Sequence, residues 1–271
     1  MKTASGIGLV AAGAVSSSFL ARLRHVMANL GPVKASSYRV ASRISNRLKA
    51  GHAARSFDEF DRTRVVLISV PDAYLAATVE ELADSGLRWR GKAVILCGSA
   101  RDSGDLEPLS AQEACTASLT VIEPESRWYV AEGHRRAVSA ARHLVSVSGT
   151  MLEIPKGAKP VFLGGLVLLG NFLVSHDAAA MACFRRAGLR PGAAARLMEF
   201  LQERALRTFL KSGPRVRAGT LADPPESIIE RIDAQLERFD PALSRYLLRC
   251  REIAADYLER GERTQETPAR V

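Results

Sequence analysis

The fold is decided by the segment Ile7-Gly8-Leu9-Val10-Ala11-Ala12-Gly13-Ala14-Val15-Ser16, which passes from an apolar run through small residues into an amphipathic pattern. A strand, a glycine-containing turn and a helix in this order are typical of a dinucleotide-binding βα unit. The usual G-x-G-x-x-G positions are occupied here by Ala11, Gly13 and Ser16. Only the middle glycine, which lets the backbone approach a pyrophosphate closely, is kept. The segment therefore predicts a dinucleotide site with a weakened glycine fingerprint.

Two other interpretations of this segment stay open. A secretory signal peptide also combines an N-terminal charge with a mildly apolar run, and a βα unit can be a purely structural element. After the turn, apolar residues recur at helical spacing, which a cleaved leader does not require. These residues are Phe19, Leu20, Leu23, Val26, Met27 and Leu30. The periodicity favours a helix of the folded protein over a leader.

The second βα unit bears on the choice of nucleotide. We expect Gly31-Pro32 to end the first helix, a short strand over 33–37 and a second helix over 38–51. A site that prefers NAD places Asp or Glu at the end of this strand to bind the ribose 2′-hydroxyl. The chain has no acid there and instead offers donors suited to a 2′-phosphate, namely Ser36, Ser37, Arg39, Ser42 and Arg43. The pattern predicts NADP, unless these arginines only form a solvated helix face.

Strands and helices continue to alternate along the chain. Strand patterns cover 64–70, 91–97, 118–122, 127–131 and 151–154, while a helix capped by Asp72 and a helix over 135–147 lie between them. This alternation predicts a parallel sheet that binds ligands at the carboxyl ends of its strands. We expect the cofactor contacts from these ends to be Ala11, Ala12, Gly13, Ala14, Val15, Val70, Pro71, Cys97 and Gly98.

The second half of the chain has a helical character. Residues 161–174 contain one polar side chain among fourteen, and this run is shorter than the roughly 20 helical residues that span a bilayer. We therefore predict a buried helix and no membrane span, followed by helices over about 191–211, 225–238 and 241–260. The predicted domains are residues 1–155, which bind the dinucleotide, and residues 156–271, which are all helical.

Composition limits the remaining classes of protein. The 271 residues are 47% hydrophobic and 25% charged, enough to bury a sizeable core. The four cysteines form no C-x-x-C pair and the histidines show no metal spacing, so we expect reduced thiols, a cytoplasmic location and no metal. The net charge of +9 is spread along a chain with only 6% aromatic residues, so we do not expect nucleic-acid binding.

Over nearly its whole length the chain resembles Rossmann-like proteins with a helical C-terminal domain. The resemblance is carried by residues 7–15, 33–43, 65–72, 94–109 and by Gly170-Asn171-Phe172-Leu173-Val174. Such proteins are related to pyrroline-5-carboxylate reductase, deazaflavin-dependent NADP oxidoreductases and the 6-phosphogluconate dehydrogenase superfamily. The resemblance implies an α/β fold, with an N-terminal Rossmann-like parallel sheet and an all-helical 6-phosphogluconate dehydrogenase-like C-terminal domain. It also implies an NAD(P) cofactor, oxidoreductase chemistry and a dimer interface on the helical domain.

The chain departs from these relatives where they carry histidines. Where the relatives have a His-x-Ser-Gly-like loop, this chain has Leu96-Cys97-Gly98-Ser99. Their His-Pro pair is replaced by Glu123-Pro124, and a histidine of their long helix is replaced by Leu163. Hydride transfer needs an acid or base for the accompanying proton. The catalytic candidates that remain are Ser99, Glu123 and Asn171, with Lys159 and His176 near the expected cleft. Asn171 can equally be a hydrogen-bonding residue of a core or an interface.

These observations predict an NADP-binding oxidoreductase that reduces a small imine or carbonyl substrate. The alternative is a catalytically silent dinucleotide-binding or assembly protein, which the missing histidines and the altered fingerprint favour. We further expect a homodimer, because a helical domain of about 115 residues can hardly cover so apolar a helix alone.

Overall fold

The computed structural model describes residues 6–12, 20, 22–98, 100–123, 126–213 and 224–265, apart from the side chains of Arg24 and of residues 257–265. The chain forms two compact units, Met1–Leu166 and Val167–Val271. We predicted a boundary after residue 155, whereas this division falls inside a helix whose first residue, Lys159, is buried in the first unit. The predicted site residues Gly13, Ala14, Val15 and Ser99 lie outside the described residues.

One sheet of eight strands forms the centre of the described first unit. Its spatial order is β3-β2-β1-β4-β5-β6-β7-β8 when the strands are numbered along the chain. The strands are β1 (Ile7–Ala11), β2 (Leu30–Lys34), β3 (His52–Ala53), β4 (Val65–Ser69), β5 (Ala93–Cys97), β6 (Cys115–Val121), β7 (Trp128–Gly133) and β8 (Thr150–Glu153). Because the strand order reverses between β1 and β4, the topological switch point of the sheet lies there.

Helices cover both faces of this sheet. They are α1 (Arg24–Asn29), α2 (Tyr38–Leu48), α3 (Asp72–Ala83), α4 (Glu107–Ser110) and α5 (Arg135–Val145), with short 3₁₀ turns at Phe57–Phe60 and Ser103–Leu106. Leu67 and Ile95 pack into one core with α1, α2 and α5, and Ile68 and Leu96 pack into the other core with α3 and α4. Since both faces are covered, the central strands are apolar along their whole length.

The second strand differs from its prediction. β2 contains Gly31-Pro32, which we expected to end a helix, and it ends at Lys34 rather than at residue 37. Its register against β1 passes from Ile7 opposite Leu30 to Leu9 opposite Val33, so two residues of β2 face one of β1. Such a bulge accommodates a proline, which has no N–H for the ladder.

Two further local features differ from the sequence prediction. β7 runs antiparallel to β6, although we predicted a parallel sheet, because the connection between them is too short for a parallel crossover. At the start of α3, Pro71 occupies the N-cap position and Asp72 is the first helical residue. Asp72 is therefore not the cap that we predicted.

The described second unit is helical. A long helix consists of α6 (Lys159–Val167), which starts in the first unit, a π-helical turn at Leu168–Phe172 and α7 (Leu173–Arg186). It is followed by α8 (Pro191–Ser212), α9 (Glu226–Phe239) and α10 (Pro241–Gln265). α7 packs on α8 and α9 packs on α10. The residues that are buried in the described part of this unit are Ala194, Ile229 and Ser244.

The apolar run 161–174 is not the buried helix that we predicted. Val161, Leu169 and Val174 are 80%, 73% and 68% exposed. The helix Lys159–Arg186 is 28 residues long and has a mean hydropathy of 1.5 in its most apolar window, so by length and composition alone it can cross a membrane. The run alone is shorter than a span, and the helix that contains it extends beyond the run at both ends. The described residues of the chain leave this apolar surface uncovered.

Candidate functional site

A cleft of about 540 Å³ lies at the carboxyl ends of β1, β2 and β4. Open α/β sheets bind their ligands at such a switch point, and the volume falls in the range of small-molecule sites. The described residues that line the cleft are Val10, Ala11, Ala12, Lys34, Ala35, Ser36, Phe57, Val70, Pro71, Tyr74, Ala77, Thr78 and Glu81.

Four of the cofactor contacts that we predicted at the ends of β1 and β4 lie in this cleft. Ala11 and Ala12 stand at the end of β1, and Val70 and Pro71 follow β4. The backbone N–H of Ala12 donates to the carbonyl of Ser69 at 3.3 Å and holds the two strand ends side by side. Because alanine is the smallest side chain after glycine, these ends leave the cleft open to a ligand.

The residues predicted to bind a 2′-phosphate follow β2 directly, and Ser36 lines the cleft. The Ser37 hydroxyl accepts a hydrogen bond from the Val40 N–H at 3.3 Å and caps α2. Arg39 and Arg43 are exposed on α2, and Ser42 is half-buried between them. Within the described residues, neither guanidinium forms an ion pair, so both charges are available to an anion.

Sequence reasoning missed several residues of the cleft. Lys34 ends β2, and its Nζ donates to the Ala35 carbonyl at 3.3 Å and lies 5.1 Å from the centre of the Phe57 ring. On α3, Tyr74 is 62% exposed and Glu81 adds a carboxylate. Lys34 could have been found from the sequence if the strand had been ended correctly, because the last residues of β2 are those that face the ribose in such folds.

Cys97, Gly98 and Glu123 of the first unit are not among the described residues that line the cleft. Cys97 is buried at the end of β5, and burial raises the pKa of its thiol to about 12 despite the opposing charge of Lys159. Its thiol is therefore neutral at neutral pH. Gly98 is exposed directly after β5, and Glu123 is exposed in the turn between β6 and β7. Asn171 is exposed in the π-helical turn of the second unit.

Beside the ends of β5 and β6, the carboxylate of Glu132 is buried in a polar network. The side chain on β7 is 1% exposed. It accepts hydrogen bonds from the Ser118 hydroxyl at 2.6 Å, the Ser103 N–H at 2.7 Å, the Ser103 hydroxyl at 2.8 Å and the Gly157 N–H at 3.3 Å. Lys159, at the start of α6 and also 1% exposed, donates from Nζ to the Arg101 carbonyl at 2.5 Å. The network ties β6 and β7 to the turn after β5 and to the start of α6.

Burial acts on the pKa of both charged groups in this network. It would raise the pKa of Glu132, but the hydrogen bonds from Ser118 and Ser103 outweigh it and hold that pKa below the ordinary value. Burial lowers the pKa of Lys159, and the nearby charge of Glu132 opposes this. Protein therefore encloses both side chains at the ends of these strands.

His176 belongs to a separate cluster in the second unit. Its Nδ1 lies 3.3 Å from the Tyr246 hydroxyl and 4.0 Å from the Cys250 Sγ. Across the described ranges, no group of three or more His, Cys, Asp or Glu side chains is arranged to hold a metal ion.

Comparisons with known proteins bear on this architecture. Residues 2–121 match the model of the Rossmann-like domain family. Comparison with the curated proteins finds no significant match. Among solved structures, the chain is similar to an imine reductase from a Pseudomonas species, with a TM-score of 0.62 and 16% identity over 93% of this chain and 94% of that chain.

Two further solved structures are similar over nearly their whole length. One is a reductive aminase from Aspergillus terreus in complex with NADPH and ethyl-5-oxohexanoate, with a TM-score of 0.59 and 16% identity over 97% of this chain and 95% of that chain. The other is a pyrroline-5-carboxylate reductase from Coxiella burnetii, with a TM-score of 0.54 and 13% identity over 95% of this chain and 98% of that chain. At these identities the likeness is one of fold. It confirms the predicted Rossmann-like sheet followed by a helical C-terminal region.

Proposed function

We propose that this chain binds NADP and is an oxidoreductase that reduces a small imine or carbonyl compound. The observation that carries the proposal is the cleft at the switch point, where Lys34 and Ser36 stand at the end of β2 and no carboxylate does. The similarity in fold to an imine reductase and to a reductive aminase with bound NADPH supports the class of reaction.

The residues of the cleft fit this cofactor chemically. Ala11 and Ala12 leave room for a pyrophosphate beside the end of β1. The Lys34 amine and the Ser36 hydroxyl are donors for the 2′-phosphate that distinguishes NADP from NAD. The exposed ring of Tyr74 offers a face on which a flat base can stack.

The reaction requires a hydride at carbon and a proton at the nitrogen or oxygen of the reduced bond. When bound, NADPH supplies the hydride. Ser99, Glu123 and Asn171 are our candidates for donating the proton or orienting the substrate. Glu132 and Lys159 are positioning residues, since both are enclosed by protein.

The proposal is tested by titrating the full chain with NADPH and NADH, and then following NADPH absorbance in the presence of cyclic imines and small ketones. We expect tighter binding of NADPH than of NADH, and NADPH consumption that requires both protein and substrate. Reactions without substrate control for slow background oxidation. Failure of the chain to bind NADPH would overturn the proposal.

A second candidate function is that of a catalytically silent dinucleotide-binding or assembly protein. It is favoured at two of the relatives' histidine positions, because Leu96 and Leu163 carry no titratable group, and the thiol of Cys97 beside Leu96 is buried and neutral. NADPH binding without turnover across the whole substrate panel would support this function over the enzyme.

We also propose that the chain is a cytoplasmic homodimer. Its four cysteines are unpaired, as in a reducing compartment. Large apolar side chains are exposed on several helices of the second unit, including Leu169, Phe200, Phe209 and Ile253. Charged residues are interspersed with them on α8 and α10, so a second copy suits this surface better than lipid does.

A further inference from the structure

A second cleft lies at the opposite edge of the sheet, where β4 and β5 begin. Its volume is about 440 Å³. The charged side chains that line it are Arg62, Arg64, Arg88, Arg90, Lys92 and Asp61. Because the segments that carry them precede the strands, this cleft is separated from the nucleotide cleft by the length of the sheet.

Two loop segments with the same alternation of exposed and buried residues bring the arginines together. In Arg62-Thr63-Arg64 and in Arg88-Trp89-Arg90, the central residue is buried and both arginines are exposed. The Thr63 hydroxyl and the Trp89 indole N–H donate to backbone carbonyls at 2.7 Å and 3.3 Å. Each central residue is therefore anchored in the protein, while its two arginine neighbours stay at the surface and line the cleft.

Lys92 fixes the two segments to one another. Its Nζ donates to the carbonyls of Phe60, Asp61 and Thr63 at 3.1, 2.8 and 2.7 Å. Burial lowers the pKa of this amine, Asp61 opposes the shift, and the charge of Arg88 adds to it. Lys92 therefore holds the cleft in shape, and its charge and that of Arg88 lie close enough to repel each other.

Most of the positive charge in this cleft has no ion-pair partner among the described residues. Arg90 pairs with Glu113 at 3.2 Å, and both side chains are exposed to solvent. In the part of the chain that the structure describes, no ion pair engages Arg62, Arg64 or Arg88. Several guanidinium groups that line one concave site favour an anion with several charges, and their planar forks match phosphate oxygens.

We propose that this cleft binds a small anion with two or more linked phosphate groups. A nucleic-acid strand fits it less well, because such a surface needs a longer basic path with aromatic rings on which bases stack, and Trp89 is buried. The site is independent of the proposed NADP cleft, since the two share no residue.

The test is calorimetric titration of the full chain with tripolyphosphate, repeated with ATP to distinguish a free polyphosphate from a nucleotide. Arg62→Gln with Arg88→Gln removes two guanidinium groups from the cleft, and both side chains are exposed, so the fold should persist. Arg47→Gln with Arg196→Gln is the matched control, because it removes the same charge from exposed positions elsewhere. Melting curves and NADPH titrations of both variants check that the fold and the other cleft are unchanged.

We expect one tripolyphosphate per chain, weakened roughly tenfold or more in the cleft variant, unchanged in the control and weaker at high salt. Tighter binding of ATP than of tripolyphosphate at the same residues would identify a nucleoside polyphosphate as the ligand and support the proposal. The proposal is overturned if the wild type does not bind tripolyphosphate, or if both variants lose binding equally. It is also overturned if a short single-stranded oligonucleotide binds the cleft and tripolyphosphate does not.

Discussion

At the scale of single residues, we propose that the positive charge at the end of β2 sets the preference for NADP over NAD. Lys34 stands at the strand end, while Arg39 and Arg43 lie on the helix that follows. A single amine in the cleft lining is a more direct contact for a 2′-phosphate than the two exposed guanidinium groups. Each charge-assisted hydrogen bond to such a group contributes on the order of 1.5–3 kcal/mol.

Lys34→Ala should therefore weaken NADPH binding about tenfold or more and leave NADH binding nearly unchanged. The double substitution of Arg39 and Arg43 by alanine should act in the same direction if these side chains also reach the phosphate. Fluorescence titration of the two nucleotides measures both effects, and Arg47→Ala on the same helix is the control. Equal loss of affinity for NADPH and NADH would contradict this account of specificity.

Glu132 is the second residue whose chemistry can be tested alone. Glu132→Gln places an amide among donors that need an acceptor, so we expect the free energy of unfolding to fall by about 1–3 kcal/mol. Glu123→Gln, in an exposed turn, is the matched control and should change stability by less than about 0.5 kcal/mol. Urea denaturation measures both.

The effect of Glu132 should depend on pH in a defined direction. Its pKa in the folded chain lies below the ordinary value of 4.5, so the carboxylate stabilises the fold above that pH. The stabilisation is lost as the pH falls through the folded-state pKa. The difference in unfolding free energy between wild type and Glu132→Gln should therefore be largest near neutral pH and shrink below about pH 4.5. If the difference in unfolding free energy between the two chains stayed constant down to pH 3, the described hydrogen bonds to an ionised Glu132 would be contradicted.

Among the elements, the turn from α2 to β3 depends most visibly on close packing. Gly51 has a φ of +71°, and a Cβ there would lie 2.6 Å from the carbonyl oxygen of Gly31 in the bulge of β2. Gly86 has a φ of +75°, and nothing lies within 4 Å of its Cβ position. Both substitutions by alanine cost about 1–2 kcal/mol for the left-handed backbone, and Gly51→Ala should cost about 1–3 kcal/mol more. Equal losses in urea denaturation would show that the bulge is not packed as described.

The elements of the sheet were largely predictable because their sequence pattern is local. The continuous apolar runs that became β4 and β5 could be assigned from composition and length alone. The ends of β2 could not be predicted, because a proline normally ends a regular element. The bulge that accommodates Pro32 is visible only in the pairing of Leu9 with Val33. Because the predicted strand ended at residue 37 instead of Lys34, we did not identify Lys34 from the sequence as a residue of the cleft.

The candidate site was predictable only in part, because some of its residues are brought together by contacts that are distant in the sequence. Ala11, Ala12, Val70 and Pro71 stand at strand ends, and strand ends meet at one edge of a parallel sheet. Tyr74 and Glu81 reach the same cleft from α3, and nothing in their local sequence distinguishes them from an ordinary helix surface. The burial of Glu132 likewise depends on partners that are far away in the sequence.

At the scale of the whole molecule, the exposed apolar side chains of the helix Lys159–Arg186 are expected to be buried against a second copy of the chain. We expect sedimentation velocity at micromolar concentration, without detergent, to give a homodimer. Leu169→Asp, at a side chain that is 73% exposed, should shift the equilibrium toward monomer, whereas Val147→Asp, at 58% exposure in the first unit, should not. A stable wild-type monomer, or a chain that stays in solution only with detergent, would contradict the dimer.

We propose that the cleft between the ends of β1, β2 and β4 holds NADP, and NADPH binding to a chain in which this cleft is filled tests this most directly. Ala12→Trp places a large side chain in the cleft lining, and Val147→Trp is the control on an exposed position outside that lining. The account predicts saturable binding of one NADPH per chain to the wild type and to Val147→Trp, and loss of binding in Ala12→Trp with an unchanged melting temperature. Unaltered NADPH affinity in a folded Ala12→Trp chain, or no saturable binding by the wild type, would contradict it.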